Sequence, residues 1–217
     1  MKKLVVRMVT GVPVLAFLMT AGCASQKRVA LWNGKDFTGW KLVLADENVD
    51  VNKVWSVRNG VIRCEGKPNG YMRTQEDYSN YKLHLEWRWV EEPTNSGVLL
   101  HASGADKVWP KSIECQLLHK NAGDFWLIGG TAITVDGQAT KSTGRATWVR
   151  KKEDSSEKEP GQWNSYDIIC QGDTVRCYVN GVLQNEGTNA SETAGKICLQ
   201  SEGSPIEFRN IYIEPLD

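Results

Sequence analysis

The chain has 217 residues, with 26 Lys plus Arg against 26 Asp plus Glu, zero formal net charge and nine tryptophans. No basic patch or Lys/Arg-rich segment stands out, which argues against nucleic acid as a partner. About 190 residues remain after the N-terminal leader, enough for one large domain with a sizeable core.

The chain opens on an address. Lys2, Lys3 and Arg7 form a basic start, Val9 to Met19 an apolar stretch, and Thr20-Ala21-Gly22-Cys23 a small-residue cleavage site. Gly11 and Pro13 interrupt the apolar stretch, which is too short to span a membrane. Cys23 directly after Ala-Gly resembles a bacterial lipobox, in which the cysteine is lipidated; Thr20 stands where that motif usually has leucine. The expected organisation is a lipoprotein signal peptide over 1–22, a lipidated cysteine and tether over 23–30, and one domain over 31–217. Ala24 to Arg28 carries no acidic cluster, which points to a periplasm-facing anchor.

The domain itself reads as strand after strand. VWSV (54–57), VIRC (61–64), YKLHLEWRWV (81–90), GVLLH (97–101), SIECQLLH (112–119), YDIIC (166–170), TVRCYV (174–179), KICLQ (196–200) and IEFRNIYI (206–213) are rich in β-branched and aromatic residues. Asn59-Gly60 and Asn180-Gly181 predict tight hairpin turns. No stretch shows a helical period, so an antiparallel sandwich is expected. The charged run from Arg150 to Glu159 predicts a solvated loop. Besides Cys23 there are five cysteines with no CxxC pair. They read as small buried hydrophobes rather than a disulfide framework or a zinc site.

Alternation assigns faces. Tyr81, Leu83, Leu85, Trp87 and Trp89 share one side, and His84, Glu86 and Arg88 the other. Glu114 and Gln116 oppose Ile113, Cys115 and Leu117, while His101 shares a side with Gly97 and Leu99. One polar sheet face is therefore expected to gather His84, Glu86, Arg88, His101, Glu114 and Gln116, bordered by Trp109 and Trp126. The segment from Asn95 to Gly130 carries most of these, together with His119 and an aromatic-acidic GDFW loop (123–126).

Seven motifs in order resemble the 3-keto-disaccharide hydrolase domain family. They are LWNGKDFTGW (31–40), WSVRNGVIRC (55–64), YKLHLEWRW (81–89) with NSGVLLH (95–101), WPKSIECQLLHKNAGDFWLIGG (109–130), GQWNSYDI (161–168), CYVNG (177–181) and GKICLQSEGSPIEFRNIYI (195–213). The resemblance implies a concanavalin A-like, jelly-roll β-sandwich with its ligand on the concave sheet. It also implies action on glycosides already oxidised to a ketone at C3. Such a ketone acidifies the C2 proton, so a base can remove it and the enolate can expel the C1 substituent, with hydration completing a net hydrolysis. A base, donors to the enolate oxygen and an acid for the leaving group are needed.

Glu114 and His101 are the leading base and acid, with interchangeable roles. Arg88, Gln116 and His119 are candidate enolate donors. Glu86 either orients Arg88, pairs with it, or ligates a metal; Glu86, His101, Glu114 and His119 would form the donor set for a divalent ion. Trp109, Asp124 and Trp126 are expected to touch sugar hydroxyls and ring faces. Asn95 reads as turn chemistry, and Asn164, Gln200, Arg209 and Asn210 as scaffold. Two rival functions remain: a non-catalytic carbohydrate-binding module, and a conventional glycosidase using Glu86 and Glu114. A single sandwich covers its own core, so the sequence requires no partner subunit.

Overall fold

The computed structural model describes residues 27–217, so the leader, Cys23 and the start of the tether lie outside the described residues. The strands are β1 (Val29–Ala30), β2 (Trp40–Leu44), β3 (Trp55–Arg58), β4 (Val61–Cys64), β5 (Gly70–Thr74), β6 (Tyr81–Trp89), β7 (Gly97–Ser103), β8 (Lys111–Gln116) and β9 (Phe125–Ile128). They continue with β10 (Ala132–Val135), β11 (Gln138–Lys141), β12 (Thr147–Val149), β13 (Asn164–Gln171), β14 (Thr174–Val179), β15 (Val182–Gly187), β16 (Lys196–Ser201) and β17 (Ile206–Pro215). Among the described residues the helical content is one 3-10 turn, Val51–Lys53.

Two antiparallel sheets face each other. The eight-stranded sheet runs β15-β14-β13-β6-β17-β4-β3 with β1 added to β17, and the seven-stranded sheet runs β12-β9-β8-β7-β16-β5-β2. The core lies between them. Leu83, Leu85 and Trp87 of β6 meet Val98, Leu100, Ile113 and Cys115 there, all at most 1 % exposed. Strand β6 alternates without a break between buried and half-buried positions, as its sequence predicts.

Both Asn-Gly turns form as expected, with φ of 52° and 81° at Asn59-Gly60 and 50° and 82° at Asn180-Gly181. Cys170 pairs with Val175, the register expected for a two-residue turn at Gly172-Asp173. Two other expectations change. Phe125 and Trp126 of the GDFW segment belong to β9, paired on both edges with β8 and β12, rather than to a loop. Cys115 and Cys177 join as a disulfide across the core between β8 and β14, 62 residues apart in sequence, leaving Cys64, Cys170 and Cys198 as buried free thiols. Inward-pointing positions on opposed sheets carry no spacing signal, so this pair was not legible.

The charged run after β12 is a strap rather than a free loop. Lys152 N–H donates to Gln184 O at 2.8 Å, Ser156 Oγ to Val179 O at 2.7 Å and Lys158 N–H to Asn164 Oδ1 at 2.8 Å. Asn180 locks it further: its Nδ2 donates to Ser156 O and Asn164 Oδ1, both at 2.8 Å, and its Oδ1 accepts from Ser165 N–H at 2.9 Å. Asn180→Ala is therefore expected to cost about 2 kcal/mol, since buried partners lose their bonds. In a domain of this size that lowers Tm by roughly 4–8 °C. Asn59→Ala shares the positive φ and is the control; equal losses at the two turns in thermal melts would refute a role for the strap bonds.

Candidate functional site

The outer face of the seven-stranded sheet carries the site. In strict register Leu99 lies opposite Glu114, Glu114 opposite Trp126, and Gly97 opposite Gln116. Alternation sends Gly97, Glu114, Gln116, Trp126 and Gln200 to this one face. Gly97 is needed for close approach: a Cβ there would overlap Glu114 Oε1 and Gln200 Oε1. Those two oxygens fill the notch that the glycine leaves.

Around them is a cleft of about 390 Å³ with a floor of Glu114, Gln116, Gln200 and Ile128 and aromatic walls from Trp109 and Trp126. Asn95, Lys107 and Glu202 complete it. The loop from Gly104 to Pro110 brings Lys107 and Trp109 over the sheet. Just before them Asp106 ties the loop to β2 and β5, accepting from Lys41 Nζ at 2.7 Å and from Arg73 Nε at 2.7 Å. Below Trp109 a small apolar cluster of Tyr71, Leu99, Ala102, Ile128 and Cys198 continues the outer face.

The electrostatics of the floor are unusual. Glu114 is 5 % exposed. Burial, then the neighbouring Glu202 carboxylate, push its pKa up to about 8 from the ordinary 4.5, against a hydrogen bond from Gln200. Burial also raises Glu202, opposed by a hydrogen bond from Asn95. Glu114 Oε1, Gln200 Oε1 and Asn95 Oδ1 are all buried acceptors without a donor.

The single polar face expected from the sequence does not exist, because its members lie in two sheets. His84, Glu86 and Arg88 are on the outer face of the eight-stranded sheet. There Glu86 accepts from Arg209 at 2.6 Å and Asn210 at 2.9 Å, and Arg88 donates to Glu207 at 2.7 Å. These are cross-strand pairs between β6 and β17. The Arg88 and Arg209 guanidinium groups both lie over the Trp163 ring, 4.7 and 4.0 Å from its centre.

His101 is turned inward. It is the extra residue of a β-bulge, φ 51°, where the pairings of β7 with both β8 and β16 shift register. Its ring meets Tyr81 edge-on at 5.6 Å, with Nδ1 3.0 Å from Glu192 O and Nε2 3.3 Å from Ser79 O. Burial lowers its pKa, and it does not reach the cleft. His119 pairs with the buried Glu157 of the strap at 3.2 Å. Asp124 accepts from Trp148 Nε1 at 2.7 Å and Lys151 N–H at 2.8 Å, fixing β12 rather than lining the cleft. The proposed metal ligands are thus scattered, and among the described residues no three His, Cys, Asp or Glu side chains gather to hold an ion.

Of the sequence-predicted site residues, Glu114, Gln116, Trp109 and Trp126 come together. Gln200, read as scaffold, and Asn95, read as turn chemistry, join them, and Lys107 and Glu202 were missed. A signal existed for Gln200: alternation in KICLQS places it opposite Ile197 and Leu199.

Solved structures share this architecture. A protein of Parabacteroides distasonis, provisionally a glycosyl hydrolase, matches at TM-score 0.65 and 23% identity, covering 88% of this chain and 95% of its own. A carbohydrate-binding module from Bacillus subtilis matches at 0.57 and 10%, covering 81% and 95%. A Bacillus licheniformis β-glucanase matches at 0.56 and 14%, covering 87% and 97%. The fold is the concanavalin A-like sandwich of such carbohydrate-active proteins. Within it, residues 27–214 match the 3-keto-alpha-glucoside-1,2-lyase-like domain, and the chain belongs to that family. No curated protein matches it.

The raised Glu114 has a consequence for stability. Its folded pKa of about 8 exceeds the ordinary 4.5, so folding favours the protonated form. That contribution is fully present below the unfolded value and is lost as pH rises through the folded one. Glu114→Gln removes the titration while keeping shape, so its stability relative to the wild type should climb between about pH 4.5 and 8. Urea denaturation across that range measures it; a difference independent of pH would contradict the burial of an ionisable floor.

Proposed function

We propose that this protein is a carbohydrate-acting enzyme that cleaves 3-keto-glycosides by elimination across C1–C2, followed by hydration. The observation that carries the reading is Glu114, a buried carboxyl group at the floor of a cleft walled by two tryptophans. Aromatic walls suit the faces of a sugar ring. A carboxyl group that stays neutral at pH 7 can donate to an oxygen on which charge develops, as an enolate requires. Lys107, at the cleft's edge, adds a cation to the same space. Family membership supports the keto substrate.

Glu86 and Glu114 cannot serve as the pair of a conventional glycosidase, because they stand on outer faces of opposite sheets. The discriminating experiment offers purified protein a 3-keto-glucoside with a chromogenic leaving group beside the unoxidised glucoside. Release from the keto form alone is expected. Equal release from both would favour conventional hydrolysis, and release from neither a binding module. Glu114→Ala, which leaves no donor at that position, should lower kcat by on the order of 10²–10³, as for loss of one oxyanion donor. Near-wild-type turnover would remove Glu114 from the chemistry.

We also infer, from the leader alone, that the protein is exported and lipid-anchored through Cys23, facing the periplasm. Cys23→Ser should move it from the membrane fraction to the soluble fraction with unchanged turnover; continued membrane retention would refute the anchor.

A further inference from the structure

The cleft holds a second carboxyl group. Glu202 follows directly on β16, lines the cleft with Glu114 and is hydrogen-bonded by Asn95. Burial raises the Glu202 pKa, and the Asn95 amide, whose Oδ1 has no donor, opposes that by hydrogen-bonding the carboxylate. Glu114 is the more deeply buried of the two, and its Oε1 meets no donor. Glu114 Oε1 and Gln200 Oε1 crowd the same notch above Gly97, both buried and both without a donor. A proton on Glu114 gives Gln200 Oε1 a donor, beside the hydrogen bond that Glu114 receives from Gln200.

Resting on the elimination reading above, we propose that Glu202 is the base that takes the C2 proton, and that Glu114 is kept neutral against Gln200 as the donor to the enolate oxygen. The electrons balance within one pair of carboxyl groups. Glu202 accepts the proton from C2, and the C2–H pair forms C2=C3 as the ketone pair moves onto its oxygen, where the Glu114 O–H receives it. Re-forming C3=O makes C1=C2 and expels the C1 oxygen, which takes the proton back from Glu202. One proton has passed from C2 to the leaving group, and both carboxyl groups return to their starting states.

The groups facing Glu114 are Glu202 from the end of β16, Lys107 from the loop after β7, and the buried Tyr166 of β13 behind it. From β7 and β9 only Gly97, Leu99 and Trp126 face it, none of which titrates. Activity therefore needs Glu202 ionised and Glu114 protonated. Turnover of the chromogenic 3-keto-glucoside should fall as pH rises through about 8. Glu202→Gln should cut kcat by on the order of 10²–10⁴ with KM little changed. Glu202→Asp, which keeps the charge, should recover part of the rate, and Glu114→Gln should lose the alkaline fall.

Infrared difference spectra of the substrate-free protein give a readout separate from turnover. A neutral carboxyl band at neutral pH should persist in Glu202→Gln and vanish in Glu114→Gln. An active wild type matched in rate by Glu202→Gln, or a band that survives in Glu114→Gln, overturns the assignment. Failure of the underlying reading looks different, because the wild type itself then releases nothing.

Discussion

The site depends on one act of burial: a carboxyl group is held out of water on the outside of a sheet, where side chains normally meet solvent. Water exclusion at Glu114 needs three things at once. Gly97 opens a notch in the neighbouring strand, Gln200 fills its other side, and Trp109 and Trp126 close the walls. A charged group in such a place is costly, so the group stays neutral to high pH.

The rest of the sandwich keeps that floor still. Behind Glu114, Cys115 is tied to β14, and Tyr166 of β13 donates across the core to Gln116 O at 3.2 Å. Asp106 latches the loop that carries Trp109. On the opposite outer face the Lys82–Asp167, Glu86–Arg209 and Arg88–Glu207 pairs set charges against one another.

Much of this was legible in the sequence because alternation is a local property. Strands β6, β13 and β14 declare their faces and the Asn-Gly turns mark the β3–β4 and β14–β15 hairpins, so the sandwich could be read directly. Strands β2 and β5 carry one β-branched residue each and β12 is only three residues long, so pairing rather than propensity makes them strands. His101 defeated the alternation argument because a bulge inserts one residue and turns its side chain to the core, which no period-two count foresees. Glu114, Gln116, Trp109 and Trp126 were found together because they share one segment. Glu202 lay just past a strand remote in sequence, and only the neighbouring of β7 and β16 brings it beside Glu114.

Trp148 gives the molecule an optical property. It is 51% exposed, lies on β12 directly opposite Trp126 of β9 on the cleft wall, and is pinned by its indole N–H to the buried Asp124. Five other tryptophans, Trp32, Trp40, Trp55, Trp87 and Trp89, are buried and emit from an apolar environment. Trp109, Trp126 and Trp163 are half-buried, which leaves Trp148 as the most exposed indole and the main contributor to the red edge of the protein's fluorescence. The chain carries its own reporter of what enters the cleft, with no dye attached.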